Sequence, residues 1–442
     1  MRRSVTVPMD FPTREAVDEL LPERTLPPMA DVRYRPPSEA LEDVAGAATA
    51  AVGDLPLRTL SAGDHVAVGV GSRGIASLPA IVSAIVEELQ ERDLNPTIVP
   101  AMGSHGGATA AGQREVLGAL GITEPAMGCP IDARMDTERV GVVTVNGVEI
   151  PVHVSTAARE ADGCVVVNRV KPHTNYTGDI ESGLCKMSVV GLGKQRGANA
   201  FHETALSVGY VETLRTAFSA VRTALPLLGG VAVVEDFYEE IAVVEGIPAA
   251  ALPDAEKPLL ERARSLMATL PTDRIDLLVI DEIGKDISGS GMDTNVVGRY
   301  RVLNTEDPTL PDVKLIYVRG LSRATKHNGM GIGLADLTRR SVVDDIDITK
   351  TYTNALTSGS LAKVHLPLVL PDDESAIAAA LGALGTVDDE TARVVWIENT
   401  SELSRLRLSP ALVDELADRI EVESVVNPTF VNGEVQFDRR AE

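Results

Sequence analysis

The sequence predicts an α/β fold with two domains, each a mostly parallel sheet flanked by helices. The chain has 442 residues, enough for about two domains of ordinary size. Hydrophobic residues make up 44% of it and charged residues 24%, as expected of a chain with a packed core. Along most of its length, short apolar runs alternate with segments of helical periodicity. This alternation is typical of parallel sheets whose strands are joined by helices.

The strands and helices of the first half follow this pattern, except in the first forty residues. The first forty residues, which include LPPMADVRYRPPSEA, predict an extended arm with at most a short helix. DHVAVGVGSRG is then a strand and a glycine turn. SLPAIVSAIVEELQERD predicts a helix, because Leu78, Ile81, Ile85 and Leu89 recur at helical spacing. NPTIVPAMGSHGG and ADGCVVVNRVKPH predict two further strands.

A domain boundary is predicted near residue 270, where LERARSLMATLPTDR runs from a helix into a proline-containing link. We therefore expect domains of residues 1–270 and 271–442. The second begins a new series of buried strands in RIDLLVIDEIGKD, DVKLIYVRGL and ARVVWIENT. The final segment, VVNPTFVNGEVQFDRR, predicts a hairpin around Asn432-Gly433 that could pack on either domain.

Charge and cysteine content exclude several classes of protein. The formal net charge of -23 argues against nucleic-acid and membrane-surface partners. Cys129, Cys164 and Cys185 form no CxxC pair, so neither a disulfide framework nor a self-contained Cys₄ cluster is expected. No apolar run reaches the ~20 residues that span a bilayer, and the N-terminus has no apolar signal-peptide core. The sequence therefore predicts a cytoplasmic protein.

Three strands of the first half are each followed by a cationic or titratable side chain. Arg73 comes after HVAVGV, His105 after TIVPAM and His173 after CVVVNRV. Ligands collect beyond the carboxyl ends of parallel strands, so the three side chains converge if these strands are neighbours. Arginine can pair with a carboxylate through a bidentate fork, and two histidines can exchange protons with a substrate. A surface salt bridge for Arg73 and loop positions for the histidines are the alternatives.

The turn around His105 also has the composition of an anion site. Backbone N–H groups of Gly103, Ser104, Gly106 and Gly107 precede a predicted helix start and could face a phosphate. Glycine-rich turns are common, so the pattern alone has low specificity.

The segment ESGLCKMSVVGLGKQRGANAFH holds Lys186, Lys194 and His202 in a chain with no lysine before Lys171. A lysine among glycines can be an ordinary surface residue. It can also be a nucleophile or a covalent tether, because a desolvated lysine is easily deprotonated. A single histidine cannot make a structural metal site, so any metal at His202 needs further ligands from a cofactor.

The ordered set of these residues resembles the nickel-pincer-nucleotide lactate racemases and their 2-hydroxyacid racemase and epimerase relatives. The matching residues are Arg73 in GSRG, His105 in MGSHGG, His173 in KPH, Lys186 in ESGLCKM, and His202. The resemblance covers most of the chain. It implies an N-terminal cofactor-binding domain, a C-terminal α/β domain and an active site in the cleft between them.

The resemblance also implies a cofactor and a role for each residue. The cofactor is nickel bound to a pyridinium-thioamide-thiocarboxylate mononucleotide, with Lys186 as its tether and His202 as the protein ligand to nickel. Sulfur and imidazole suit square-planar Ni(II). His105 and His173 would be the acid/base pair of a reversible hydride transfer, and Arg73 would hold the substrate carboxylate.

Two further lysines receive roles in this reading. Lys285, after the strand LLVID, is the candidate for a lysine that the family contributes from its second domain. Lys194 is a rival tether or a phosphate contact in the cofactor site.

The sequence departs from the lactate racemase pattern in two places. An aspartate expected shortly before the arginine is absent, because Val70, Gly71 and Ser72 occupy that stretch. The spacing between His173 and Lys186 is also longer. Both differences leave the identity of the 2-hydroxy acid open.

The expected partners are a small 2-hydroxy carboxylate, the enzymes that make the cofactor, and a second copy of the chain in a homodimer. Two other functions remain as alternatives. One is a nickel-independent lyase or isomerase that acts on a carboxylate with the same histidines. The other is a non-catalytic protein that binds a nucleotide or anion at its glycine turns.

Overall fold

A computed structural model describes residues 10–72 and 74–439 of the chain, and it confirms the α/β fold class. The described residues form two compact units. The first unit contains residues 37–268. The second unit contains residues 269–439 together with residues 10–36, which precede the first unit in the sequence.

The strands and helices of the described residues follow in chain order. The strands are β1 (Met29–Tyr34), β2 (His65–Val70), β3 (Asn95–Pro100), β4 (Thr137–Val145), β5 (Val148–Ser155), β6 (Gly163–Arg169), β7 (Leu227–Glu235), β8 (Ile241–Pro248), β9 (Arg274–Ile280), β10 (Asp312–Val318), β11 (Leu337–Arg339), β12 (Leu368–Leu370), β13 (Val394–Ile397), β14 (Arg405–Leu408), β15 (Ile420–Val431) and β16 (Glu434–Arg439). The α-helices are α1 (Arg14–Asp18), α2 (Val44–Gly53), α3 (Leu78–Glu91), α4 (Ala110–Ala119), α5 (Glu124–Met127), α6 (Thr156–Arg159), α7 (Leu184–Lys186), α8 (Lys194–Val208), α9 (Tyr210–Ala224), α10 (Glu256–Leu266), α11 (Thr294–Val297), α12 (Arg340–Asp345), α13 (Ile348–Ser358), α14 (Asp373–Ala383) and α15 (Pro410–Leu416).

The first unit is built on a five-stranded sheet of order β3-β2-β6-β7-β8, in which only β8 is antiparallel to its neighbour. Alternate residues of β2 face opposite sides of this sheet. Val66, Val68 and Val70 belong to a core with α2 and α3. On the other face, a Cβ at Gly69 would lie 3.5 Å from Leu192. Because both faces are covered, the strand is apolar from Val66 to Val70. A separate two-stranded sheet pairs β4 with β5.

The second unit contains a nine-stranded sheet of order β12-β11-β10-β9-β13-β14-β1-β15-β16. The strands from β12 to β13 are parallel, and the remaining four continue the sheet by antiparallel pairing. Its core includes Trp396, Tyr317 and Leu277, which are at most 2% exposed.

Residues 10–36 correct the predicted domain assignment, which grouped them with the first domain. Met29–Tyr34 forms a strand that pairs with β14 and β15, so this part of the arm belongs to the second unit. The final segment forms the predicted hairpin β15–β16, with positive φ at Asn432 and Gly433. This hairpin extends the sheet of the second unit.

Candidate functional site

The three strands that carry the predicted site residues are neighbours in the sheet, in the order β3-β2-β6. Val70 of β2 lies beside Pro100 of β3 and Val167 of β6, so the three parallel strands end at the same edge. The chain leaves β2 for β3 on one side and later reaches β6 on the other. Such a reversal creates a crevice at the carboxyl ends of the strands, where ligands of α/β proteins bind.

The loops after β2 and β3 are joined by a hydrogen bond. Ser72 Oγ lies 2.5 Å from His105 Nδ1. His105 itself is exposed. Arg73, the proposed carboxylate ligand, lies outside the described residues. The structure therefore places His105 directly beside the residue that precedes Arg73.

The segment from residue 181 to residue 202 lies against these strand ends. Lys171 and Ser182 exchange backbone hydrogen bonds at 3.0 and 3.2 Å, and Gly103 N–H donates to Gly191 O at 3.1 Å. A π-helix over Met187–Gly191 separates α7 from α8. π-helical turns are rare and often mark functional sites. A Cβ at Gly191 would lie 2.6 Å from Ala101 O, so glycine there permits close contact with the loop after β3.

His202, Lys186 and His105 are electrostatically coupled. Burial, together with the positive charges of Lys186 and His105, lowers the pKa of His202 to about 4. The residue still exposes more than a third of its surface, so we expect solvent to moderate the shift. The direction is clear, because desolvation and both neighbours disfavour the imidazolium. His202 is thus held neutral, the form of imidazole that binds metals.

His173 belongs to an aromatic cluster, although aromatic residues are only 3% of the chain. Its ring centroid lies 4.5 Å from that of Tyr176, which stacks on Tyr210 at 4.6 Å. Phe201 lies edge-on to Tyr210 at 6.3 Å and to His202 at 5.4 Å. The cluster therefore connects the loop after β6 with the helix that carries His202.

The tautomer of neutral His173 is set by its own loop. Asn175 N–H donates to His173 Nδ1 at 3.1 Å, so the ring proton of the neutral form resides on Nε2. The side chain of His173 is half-buried. The ring can therefore present an Nε2–H donor to a ligand.

Glu181 organises the same loop, and sequence reasoning did not identify it. Its carboxylate is 1% exposed. It accepts hydrogen bonds from the backbone N–H groups of His173 and Gly178 and pairs with Arg264 at 2.5 Å. Burial raises the pKa of Glu181, although the two N–H donors and Arg264 oppose the increase. The sequence signal that could have identified Glu181 is its position as an acidic residue at the start of the largely apolar segment ESGLCKMSVVGLG.

Lys194 is buried, and this placement corrects the expectation of a phosphate contact. The side chain is 0% exposed, and its Nζ donates to Pro100 O at 2.7 Å and to Gln113 Oε1 at 3.2 Å. Burial lowers its pKa to about 8. The ammonium is directed into the protein interior and does not face a ligand.

One of the four backbone N–H groups predicted to bind an anion around His105 is already used within the protein. The N–H of Gly103 donates to Gly191 O, so it is not available to a phosphate. The following helix α4 is capped internally, because Thr109 Oγ1 accepts from Gly112 N–H at 3.1 Å. Backbone contacts from Ser104, Gly106 and Gly107 stay a prediction.

Lys285 lies in the second unit, on the loop after β9. Its side chain is exposed, and its Nζ donates to Gly289 O at 2.7 Å.

Lys363 lies near Lys285, and it was not identified from the sequence. Lys363 is 1% exposed and donates to Ser290 Oγ at 2.9 Å. Burial lowers the pKa of Lys363 to about 8, and the charge of Lys285 contributes in the same direction.

Within residues 10–72 and 74–439, no group of three or more His, Cys, Asp or Glu residues could hold a metal ion. No helix there is long and apolar enough to cross a membrane.

Residues 67–316, more than half of the chain, match the family described as "Domain of unknown function (DUF362)". The chain belongs to this family. The matched part of this DUF362 chain includes the loops after β2, β3 and β6, the segment 181–202 and Lys285. No curated protein matches the sequence.

Among solved structures, the DUF362 chain is similar to the lactate racemase apoprotein from Thermoanaerobacterium thermosaccharolyticum. The TM-score is 0.44 and the sequence identity 16%, over 84% of this chain and 88% of that chain. Similarity at this level carries no information about activity.

Proposed function

We propose that this protein is a racemase or epimerase of a small 2-hydroxy carboxylic acid that acts by reversible hydride transfer with a nickel-pincer nucleotide. The observation that carries the proposal is the shared edge of β3, β2 and β6, where the loops with Ser72 and His105 meet and the segment 181–202 packs against the strand ends. The order of Arg73, His105, His173, Lys186 and His202 in the sequence resembles that of the lactate racemases.

The residues of the site fit such a cofactor. The described residues hold no set of three metal-binding side chains, which is compatible with a metal whose other donors belong to the cofactor. Lys186 would hold the nucleotide, and His202 would contribute a neutral nitrogen to nickel. When bound, the cofactor would supply the reversible acceptor for the α-hydrogen of the substrate.

The strand order supports a role for both histidines in inversion at a carbon atom. His105 follows β3 and His173 follows β6, which lie on opposite sides of β2. We propose that each approaches the substrate from its own side. One would take the hydroxyl proton as the α-hydrogen leaves, and the other would return a proton when hydrogen is added to the opposite face. The Nε2–H of neutral His173 could donate a hydrogen bond to a substrate oxygen, and transfer of a proton would start from its imidazolium form.

The substrate carboxylate would be held by cationic side chains. We propose Arg73, beside Ser72, as its bidentate partner. Lys285 is proposed as a contribution from the second unit. The substrate class is a small 2-hydroxy carboxylate, and enzymes that synthesise the cofactor are the expected partners in the cell.

The proposal is tested by co-expressing the protein with enzymes that make the cofactor. Bound nickel, intact mass and the mass of the Lys186 peptide are measured, and single enantiomers of 2-hydroxy acids are followed by chiral chromatography. We expect about one nickel per chain, an added mass on that peptide and racemisation or epimerisation of at least one acid.

His202→Ala should lose nickel and remain folded, whereas the matched control His365→Ala, an exposed histidine of the second unit, should retain it. Acid/base turnover by a nickel-free protein with no mass adduct would instead support a lyase or isomerase. Nickel retained in His202→Ala would overturn the ligand assignment.

A further inference from the structure

A chain of buried hydrogen bonds runs from Lys194 to the loop that carries His105. Lys194 and Gln113 are both 0% exposed. Lys194 Nζ donates to Gln113 Oε1 at 3.2 Å, and Gln113 Nε2 donates to Gly103 O at 3.0 Å and to His105 O at 3.3 Å. The chain therefore joins α8, α4 and the loop after β3.

The ammonium of Lys194 fixes which way the Gln113 amide points. An ammonium only donates hydrogen bonds, so the oxygen of the amide must face it. The NH₂ group is then directed at the two loop carbonyls. With the amide reversed, its NH₂ group would face the ammonium and its single oxygen would face the carbonyl oxygens of Gly103 and His105, which is costly in a buried place.

The backbone supports this arrangement. Lys194 has φ of 52°, in the left-handed region that side chains other than glycine rarely adopt. A residue is held in this region when surrounding interactions determine its position. Here the side chain also donates to Pro100 O at 2.7 Å, at the end of β3. The helix start and the strand end are thus joined through one side chain.

We propose that Lys194 and Gln113 are positioning residues that hold the His105 loop so that the imidazole keeps its hydrogen bond to Ser72. The importance of this positioning for proton transfer rests on the proposed function of His105. The positioning of the loop is independent of that function. Without the Gln113 donors, the carbonyls of Gly103 and His105 lose their buried partner, and the loop is free to shift away from Ser72.

The test replaces the donors while keeping the size of the side chain. Gln113→Glu retains an oxygen for Lys194 and loses both N–H donors. Gln113→Met removes the donors without adding charge and serves if the glutamate variant does not fold. Lys363→Met is the matched control, because it removes a buried lysine from the second unit. Thermal unfolding identifies the folded variants.

The readout is the NMR titration of the His105 imidazole, assigned with His105→Gln. In the folded Gln113 variants we expect a changed Cε1–H chemical shift and a midpoint moved by about 0.5 pH unit or more. Lys363→Met should leave both unchanged. A His105 signal and midpoint identical to wild type in a folded Gln113 variant would overturn the proposal.

In the cofactor-loaded protein, kcat for racemisation should fall about tenfold or more in Gln113→Glu with little change in KM. Because the NMR result needs no activity, a protein without racemase activity can still confirm the positioning role. Conversely, an active enzyme whose His105 signal ignores Gln113 would refute only the positioning.

Discussion

In both units a lysine is buried beneath a loop that follows a parallel strand. Lys194 supports the loop after β3 through Gln113, and Lys363 contacts Ser290 in the loop after β9. Burial lowers the pKa of each lysine to about 8. Each sheet also reverses its chain order, at β2 in the first unit and at β9 in the second. The two units therefore share a way of supporting a strand-end loop.

The chemistry along the two strand-end edges is different. In the first unit, His105 and His173 follow β3 and β6, the two strands that flank β2, and imidazole is a common acid/base group of proteins. In the second unit, an ion pair lies at the ends of two neighbouring strands. Asp281 follows β9 and Arg319 follows β10, and they pair with each other. The two edges therefore differ in the side chains they carry, which are imidazoles in the first unit and an ion pair in the second.

The largest expected effect is on the ion-pair network of the second unit. Asp373 is 0% exposed and pairs with Arg319 at 2.7 Å, and it accepts from Tyr317 OH at 2.6 Å. Removing one partner of such a network leaves a buried charge uncompensated. We therefore expect Asp373→Asn to reduce the free energy of unfolding by about 3–5 kcal/mol in denaturant titrations.

Asp344→Asn is the control, because its pair with Arg340 is exposed and should change stability by less than about 0.5 kcal/mol. Burial opposes ionisation of Asp373, but Arg319 brings its pKa below the ordinary value. Its stabilisation is thus present above about pH 4 and is lost as the pH falls further. Equal stability of Asp373→Asn and Asp344→Asn would show that the buried ion pair of the second unit stabilises the fold no more than an exposed pair does.

The next effect concerns the loop of His173 in the first unit. In Glu181→Gln the ion pair with Arg264 is lost, and an NH₂ group meets a backbone N–H donor. We expect a loss of about 2–3 kcal/mol in the free energy of unfolding. Racemisation should also decline strongly, because the loop positions His173. Glu261→Gln is a close control, since Glu261 contacts the same arginine but its side chain is 69% exposed. A Glu181→Gln variant with normal stability and activity would contradict the assigned role.

The sequence predicted the repeated alternation of strands and helices. It also predicted that the ends of β2, β3 and β6 would meet at one edge if these strands were neighbours, and the structure shows that they are. Apolar runs between glycine turns are local signals, and the topology of parallel sheets then brings their ends together. The strand β1 was not predicted, because its partners β14 and β15 lie at the opposite end of the sequence. Its proline-rich surroundings indicated an extended arm and gave no information on what it pairs with.

The buried polar residues were also not predicted from the sequence. Lys194 was interpreted as a phosphate contact because a lysine among glycines has the same local sequence whether it faces a ligand or the interior. Gln113, Glu181 and Lys363 were missed because their partners are backbone carbonyls, backbone N–H groups and side chains from distant elements. Only the folded chain shows these contacts. In the first unit, Gln113 contacts the backbone of His105 and Glu181 contacts the backbone of His173.

The smallest expected effect tests the coupling between Lys186 and His202. Burial and the charge of Lys186 both lower the pKa of His202, so Lys186→Met should raise it. Burial persists in the variant, and the new value should stay below the ordinary 6.5. Because the folded pKa lies below the unfolded one, the unfolded chain binds more protons between about pH 4 and 6.5, and stability rises with pH over that range. NMR titration of the His202 imidazole measures the shift.

Lys257→Met is the matched control, since that lysine pairs with Asp179 and Asp254 elsewhere in the first unit. It should leave the His202 titration unchanged. A Lys186→Met variant with the wild-type midpoint would show that the lysine ammonium does not act on the imidazole. The lowered pKa of His202 would then depend on burial and on His105 alone, and the proposed roles of Lys186 as tether and His202 as metal ligand would lose their electrostatic support.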